Sequence, residues 1–296
     1  SSSVQNIQNG LADLSLNGAN TKLGGQSSKS KKKWRGRVRG GGDKVTDVKA
    51  IDKSKSTHHT YQVSFHNIKI KTTVTNAASK LDKWIGNVYK KFHDKLDNLI
   101  VGLAIEWRRT RTPDSRNKVA VLQLCASRQC LIFQFLCCDG IPKSLYDFLG
   151  NDKITFAGVG IARDAYMLLV DYNLKVARTA QLGSLAAYKL TNTIADYRES
   201  QFHRAGLKRL AREVLYKKLP KKKYLELSNW ERDFLKDEQV EYLCLDAFVS
   251  FQLGMDLINR VSPVHPYENS NEDPSEPEKV EEEKASGSFD IVFGTF

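Results

Sequence analysis

The chain has 296 residues, enough for one large domain with terminal tails or for two small domains. Its formal net charge is +12 but is unevenly placed: twelve Lys and Arg stand against three Asp in 22–55, and nine Asp and Glu against two Lys in 262–296. No 18-residue apolar run occurs and no signal peptide is visible, so we expect no transmembrane helix and no membrane partner. Residues 56–261, between these two segments, carry a net charge of +11. This charge favours a polyanionic partner, although solubility alone would also explain it.

The cysteine pattern predicts free thiols. The five cysteines have no Cys-x-x-Cys spacing, and their number is odd. We interpret them as reduced core thiols of a cytosolic or nuclear protein. They are Cys125, Cys130, Cys137, Cys138 and Cys244.

Both ends of the chain have the composition of disordered tails. Residues 1–57 are rich in Ser, Asn, Gly and Lys, and residues 261–296 are acidic and rich in Pro and Ser. Within the first tail, the basic, Gly-rich run at 29–42 fits a nuclear import signal, a nucleic-acid-binding tail or a solvated linker equally well.

The ordered part is predicted to begin with a hairpin and a helix. Tyr61–Phe65 and 68–71 alternate apolar and polar residues around His66-Asn67, which is typical of a hairpin. Apolar residues at helical spacing predict a helix over 77–93, with Asn76 as its cap.

Three apolar strands separated by short gaps follow and predict an antiparallel meander. Alternating helices and strands come next, so the fold class is α/β with a mixed sheet. The predicted strands are Leu99–Trp107, 119–125, 130–136, 154–159 and 174–177, and the predicted helices are 143–149, 163–171, 184–190, 206–217 and 237–254.

One acid stands inside the first of these strands. Glu106 follows an apolar run, and a carboxylate buried there needs a partner such as a metal ion. The residue two positions earlier, Ala104, has its side chain on the same face of the strand.

Two more acids occur in settings that fit the same site. Asp164 stands in the first turn of a predicted helix, where it could also merely complement the helix dipole. Tyr242 and Asp246 are four residues apart and share one helix face, although a buried Tyr beside a solvated Asp is the simpler alternative.

Three motifs together resemble the Werner-syndrome-type 3′→5′ exonucleases. They are Val-Gly-Leu-Ala-Ile-Glu-Trp at 101–107, Gly-Val-Gly-Ile-x-x-Asp at 158–164, and Tyr-x-x-x-Asp at 242–246. The resemblance implies a ribonuclease-H-like domain over 58–260 and two-metal phosphodiester hydrolysis with Mg²⁺ or Mn²⁺. It also implies that Glu106, Asp164 and Asp246 are metal ligands and that Tyr242 helps to position the attacking water.

The first motif departs from the family, which has Asp-x-Glu where this chain has Ala104-x-Glu106. We therefore expect weakened metal binding and little or no nuclease activity. Ala104 is either a deliberate substitution that traps substrate or a natural loss; departures at Arg108-Arg109 and at 181–183 favour natural loss. The function is then an impaired 3′→5′ exonuclease or an inactive nucleic-acid-binding module.

The expected partner is a DNA or RNA 3′ end, and the sequence does not separate the two. The residues assigned to nucleic-acid binding are Trp107, Lys208, Arg209 and Arg212. No helicase segment follows the domain, which predicts a stand-alone protein. Its expected location is the nucleus, with the cytoplasm as a second compartment.

Overall fold

The computed structural model describes residues 45–53, 57–109, 116–192, 194–220, 222–261 and 293–294. All of them belong to one compact unit, Asp43–Phe296. The first 44 residues and nearly all of the acidic segment lie outside the described residues, and so does the basic run at 29–42.

The described chain contains nine strands and seven α-helices. The strands are β1 (Thr46–Asp52), β2 (His58–Phe65), β3 (Ile68–Thr75), β4 (Ile100–Glu106), β5 (Val121–Ala126), β6 (Gln129–Gln134), β7 (Thr155–Gly158), β8 (Thr179–Gln181) and β9 (Phe293–Gly294). The helices are α1 (Ala78–Phe92), α2 (Lys143–Leu149), α3 (Ile161–Tyr172), α4 (Leu182–Leu190), α5 (Ile194–Glu199), α6 (Leu207–Val214) and α7 (Asp237–Asn259).

All nine strands form one mixed sheet in the order β1-β2-β3-β6-β5-β4-β7-β8-β9. Strands β4, β5 and β6 pair antiparallel, which confirms the predicted meander. Strand β7 runs parallel to β4, and β8 runs parallel to β7. The predicted α/β class with a mixed, ribonuclease-H-like sheet is therefore confirmed.

The predicted hairpin is also confirmed, and its turn explains its register. Strands β2 and β3 pair from Phe65↔Ile68 to His58↔Thr75. His66 and Asn67 both have positive φ, of 45° and 65°. Positive φ at both central residues is typical of a type I′ turn, whose twist matches that of the flanking strands.

Helices cover both faces of the sheet, so the domain has three layers. Residues Val101, Leu103 and Ile105 of β4 pack in one core with α1, α2 and α3. Ile100 packs in a second core with α4, α6 and α7. Because successive strand residues point to opposite faces, Gly102, Ala104 and Glu106 lie on the α7 face of β4.

Three local predictions are wrong. The domain does not begin at residue 58, because β1 lies inside the predicted tail and pairs with β2. The strand predicted at 174–177 lies instead at Thr179–Gln181. Asn76 does not cap α1; the first helical amide, of Ala78, donates to Asp139 Oδ1 at 2.7 Å.

The cysteines are free, as predicted. Cys125, Cys130 and Cys244 are buried, and burial raises the pKa of each thiol. None of the helices in the described ranges combines the length and apolar character that a membrane span requires.

Candidate active site

The predicted site residues lie around the carboxyl ends of β4 and β7. Glu106 is the last residue of β4, and Asp164 lies in the first turn of α3, directly after β7. From β4 the chain proceeds to β5 and β6 on one side, and later to β7 and β8 on the other. Ligands of open α/β sheets bind outside the carboxyl ends of the strands at such a switch point.

Close contact between β4 and α7 brings the other two residues to this edge. A Cβ added to Gly102 would lie 1.9 Å from the carbonyl oxygen of Ala247 and 2.6 Å from the amide of Phe251. Only glycine permits this approach of the helix backbone to the strand. Asp246 directly precedes Ala247 on α7. Its side chain is buried, with 7% of the residue's surface exposed.

Tyr242 connects the helix to the strand. Its phenol lies beside the carboxylates of Asp246 and Glu106. Burial and the negative charges of Asp246 and Glu106 raise the pKa of Tyr242, so the phenol is neutral at pH 7. The ring of Trp230 lies against Tyr242, with 5.6 Å between ring centroids.

Asp164 experiences an environment that favours its neutral form. Burial raises its pKa to about 7, the positive charge of Arg163 opposes this shift, and the negative charge of Asp246 adds to it. Two carboxylates on different helices thus interact across the edge of the sheet. At neutral pH, Asp164 is partly protonated and can hold or release a proton.

The start of α3 is held by a side chain from the neighbouring strand. Gly160, with φ of 73°, adopts the left-handed conformation that makes the turn from β7 into the helix. Gln181 Oε1 accepts hydrogen bonds from the amides of Gly160 at 2.8 Å and Ile161 at 3.3 Å. Gln181 therefore takes the place of an N-cap for the helix that carries Asp164.

The residues at this edge do not form a ready metal centre. Ala104 lies on the same strand face as Glu106, opposite Gln123 of β5, but it has no oxygen atom to offer. Within the ranges that the structure describes, no three or more His, Cys, Asp or Glu side chains are grouped so as to hold a metal ion. The arrangement present therefore does not fit a two-metal centre.

The residues assigned to nucleic-acid binding fall into two places. Trp107 follows Glu106, and the guanidinium of Arg163 lies 4.8 Å from its ring centroid. On α6, Arg209 and Arg212 are paired with Glu213 at 3.0 and 2.8 Å. Lys208 is exposed. Nothing in the described contacts joins these α6 residues to the acids of the site, so their assignment stays a prediction.

The sequence did not indicate three residues that shape the site. Trp230 reaches it through a long-range contact with Tyr242, and Arg163, the neighbour of Asp164, makes a long-range contact with Trp107. In the sequence, Gln181 was notable only because it departs from the family pattern. It can cap α3 only because β8 pairs with β7. Trp230 and Gln181 support the site without charge, whereas Arg163 adds a positive charge beside Asp164.

The fold and the acids at its switch point define an α/β protein of the ribonuclease-H-like class. A profile of the 3′-5′ exonuclease family matches residues 66–262. The chain belongs to this family.

Several curated relatives carry the same domain. The mouse (Mus musculus) bifunctional 3′-5′ exonuclease/ATP-dependent helicase WRN is 32% identical over 55% of this chain and 11% of that protein. A 3′-5′ exonuclease of Arabidopsis thaliana is 28% identical over 60% of each chain. Human (Homo sapiens) exonuclease 3′-5′ domain-containing protein 2 is 31% identical over 66% of this chain and 30% of that protein. The chain thus spans between about a tenth and three fifths of these relatives.

Two solved structures are also similar. The EXD2 exonuclease domain soaked in Mn and GMP is 26% identical, with a TM-score of 0.36, over 63% of this chain and 89% of that one. Escherichia coli RNase D is 17% identical, with a TM-score of 0.49, over 62% of this chain and 44% of that one.

Proposed function

We propose that this chain binds nucleic-acid 3′ ends at Glu106, Asp164, Tyr242 and Asp246, and that Ala104 impairs its phosphodiester hydrolysis. The observation that carries the proposal is the shared strand face of Ala104 and Glu106, onto which α7 is packed. Family membership supports the reaction class, and the methyl group of Ala104 supports the impairment.

Hydrolysis of this class would require divalent ions. Mg²⁺ and Mn²⁺ prefer carboxylate and water oxygens, and in two-metal hydrolysis such ions stabilise the attacking and leaving oxygens. An aspartate at position 104 would add a carboxylate beside Glu106. With alanine there, the remaining acids give at most a weak site, which is the state we assign to this chain.

The remaining residues still have chemical roles. The neutral Tyr242 phenol lies beside the Glu106 carboxylate, where it can help to orient that group. Asp164, with a pKa raised to about 7, can exchange a proton near neutral pH. Arg163 adds a positive charge beside the acids, and this charge would reduce their repulsion of an incoming phosphate.

The test compares the chain with its Ala104→Asp variant. Each is incubated with a 3′-recessed DNA duplex and with single-stranded RNA, in Mg²⁺ or Mn²⁺, and both binding and release of nucleotides are measured. We expect the variant to degrade 3′ ends while the parent chain binds them with little turnover. Ala104→Asn is the matched control, since it adds the same bulk without the charge and should remain inactive.

Other outcomes separate the alternatives. Binding by all variants without cleavage by any would identify an inactive nucleic-acid-binding module. Cleavage by the parent at the rate of Ala104→Asp would show that hydrolysis is not impaired. Absence of both binding and cleavage would overturn the nucleic-acid assignment.

Nuclear location is a further part of this proposal. It rests on the basic composition of 29–42, which includes three consecutive lysines at 31–33. A fluorescent fusion of the chain is expected in the nucleus, and replacement of these lysines by glutamine should move it to the cytoplasm. An unchanged distribution would contradict the import role.

A further inference from the structure

A basic cleft lies between α1 and the sheet, away from the carboxylates. It has a volume of about 230 Å³ and is lined by three lysines: Lys71 of β3, and Lys80 and Lys83 of α1. Asn87, Thr73 and Gln129 add amide and hydroxyl groups. No Asp or Glu is among the described residues that line it.

The cleft is on the opposite face of the sheet from the candidate active site. On β3, Thr72 points towards α7, since its hydroxyl donates to Cys244 Sγ at 3.1 Å. Residues on either side of it in a strand point the other way, so Lys71 and Thr73 face α1. The cleft is therefore separate from Glu106 and Asp246.

The three lysines are available for an anion. Throughout the described chain, none of them forms an ion pair with an acid, whereas Lys53, Lys143 and several arginines do. Three ammonium groups around one concave surface repel one another, and an anion placed among them would relieve that repulsion. Lysine binds phosphate as a point charge.

A polar row continues from the cleft across the sheet. Lys49, Gln62, Lys71 and Gln129 are direct neighbours on β1, β2, β3 and β6. At ~4.8 Å between strands, this row extends over about 14 Å. The surface is thus an elongated track with a concave end rather than an isolated anion hole.

The size and lining of the cleft favour a phosphate backbone over a whole nucleotide. Its volume is below the ~300–1,000 Å³ typical of small-molecule sites. The ring of Trp84 lines the cleft but is only 6% exposed, so no open aromatic face is present for base stacking. We propose that this cleft and the adjoining row bind the phosphate backbone of a nucleic-acid strand, without sequence preference, at a second site remote from the carboxylates.

The test is the salt dependence of binding by the full chain. A labelled oligothymidylate is titrated in EDTA, which excludes turnover, and Lys71→Gln/Lys80→Gln/Lys83→Gln is compared with the parent. Each phosphate contact to a single strand contributes a slope of about 0.7 in log–log salt plots, so the slope should fall by about 2. When the salt concentration rises fourfold, the factor by which affinity falls should be roughly twentyfold smaller for the variant than for the parent.

The matched control is Lys90→Gln/Lys91→Gln/Lys95→Gln, which removes the same charge from exposed positions outside the cleft. Equal changes in slope for both triple variants would overturn the proposal, since net charge alone would then explain them. Binding of inorganic phosphate at the cleft with an unchanged oligonucleotide slope would also overturn it. The proposal would also be overturned if the cleft variant altered the slope only after removal of the acidic residues 262–296. The cleft would then be assigned to binding that segment.

Discussion

Tyr242 of α7 lies beside Glu106 of β4, where the charge of this carboxylate adds to burial in raising the pKa of the phenol, and the pair joins the last helix to the strand that ends at the candidate site. The two residues are far apart in the sequence, and the contact exists because α7 lies directly on β4. The close approach at Gly102 and the ring of Trp230 hold the helix and the phenol in this position.

Tyr242→Phe should destabilise the fold. The variant removes a buried hydroxyl that lies beside the Glu106 carboxylate, and loss of one partner of a buried polar group costs about 1–3 kcal/mol. Urea denaturation at neutral pH measures the loss in the free energy of unfolding. Tyr224→Phe is the matched control, since it removes an exposed hydrogen bond to Glu238 and should leave the midpoint almost unchanged. Equal effects of the two variants would contradict the structural role of Tyr242.

Gly102→Ala should destabilise the fold more than a methyl group ordinarily would. The new Cβ would overlap the Ala247 carbonyl oxygen at 1.9 Å, so α7 must move and carry Tyr242 with it. Overpacking of this kind costs about 1–3 kcal/mol or more. Gly86→Ala on α1 is the control, because its Cβ meets nothing within 4 Å and should stabilise the helix by about 0.5–1 kcal/mol. Thermal melts that shift in the same direction would contradict this prediction.

The contribution of Asp164 to the stability of the metal-free chain should fall as the pH rises from about 4 to 7. The folded state raises the pKa of Asp164 to about 7 from its usual 3.8, so it binds a proton in this range that the unfolded chain has released. Stabilisation by protonation is therefore complete at low pH and lost as the pH rises through the folded-state pKa. Asp164→Asn removes this pH-dependent contribution. The free energy of unfolding of the variant, relative to that of the parent, should therefore rise by at most about 4 kcal/mol across this range.

Denaturation of both proteins in EDTA at a series of pH values tests the sign. The difference in the free energy of unfolding should grow in favour of Asp164→Asn with rising pH. Parallel pH profiles would show that Asp164 ionises normally in the folded chain.

Gln181→Ala should weaken the start of α3. The variant removes the acceptor for the amides of Gly160 and Ile161, and loss of an N-cap side chain costs about 0.5–2 kcal/mol. Gln181→Glu keeps an acceptor oxygen at the positive end of the helix and should restore most of the stability. If Gln181→Ala melts like the parent, the amide hydrogen bonds do not contribute.

Several features could be predicted because they depend on residues close together in the chain. The alternation of 61–71 predicts the β2–β3 hairpin, and helical spacing predicts the buried face of α1, including Trp84 and Ile85. The short gaps between apolar runs predict the antiparallel meander. The positions of the acids were also visible locally, although their functional roles stay predictions.

Other features depend on contacts between distant segments. Strand β1 lies within the stretch predicted as a tail, and its place in the sheet depends on its pairing with β2. The actual N-cap acceptor of α1, Asp139, is 61 positions from the amide it binds, so local spacing pointed to Asn76 instead. The third parallel strand lies at 179–181, where pairing with β7 outweighs the apolar character of 174–177.

The sequence by itself determined the α/β class and the meander, because periodicity and strand spacing are local properties; that an acid is missing at position 104 is a prediction from the family resemblance. Only the tertiary structure decided that Tyr242 contacts Glu106, that Gln181 caps α3, and that three lysines from β3 and α1 line one cleft. Each of these depends on which faces of helix and sheet are packed together, and burial of the two apolar cores sets that arrangement.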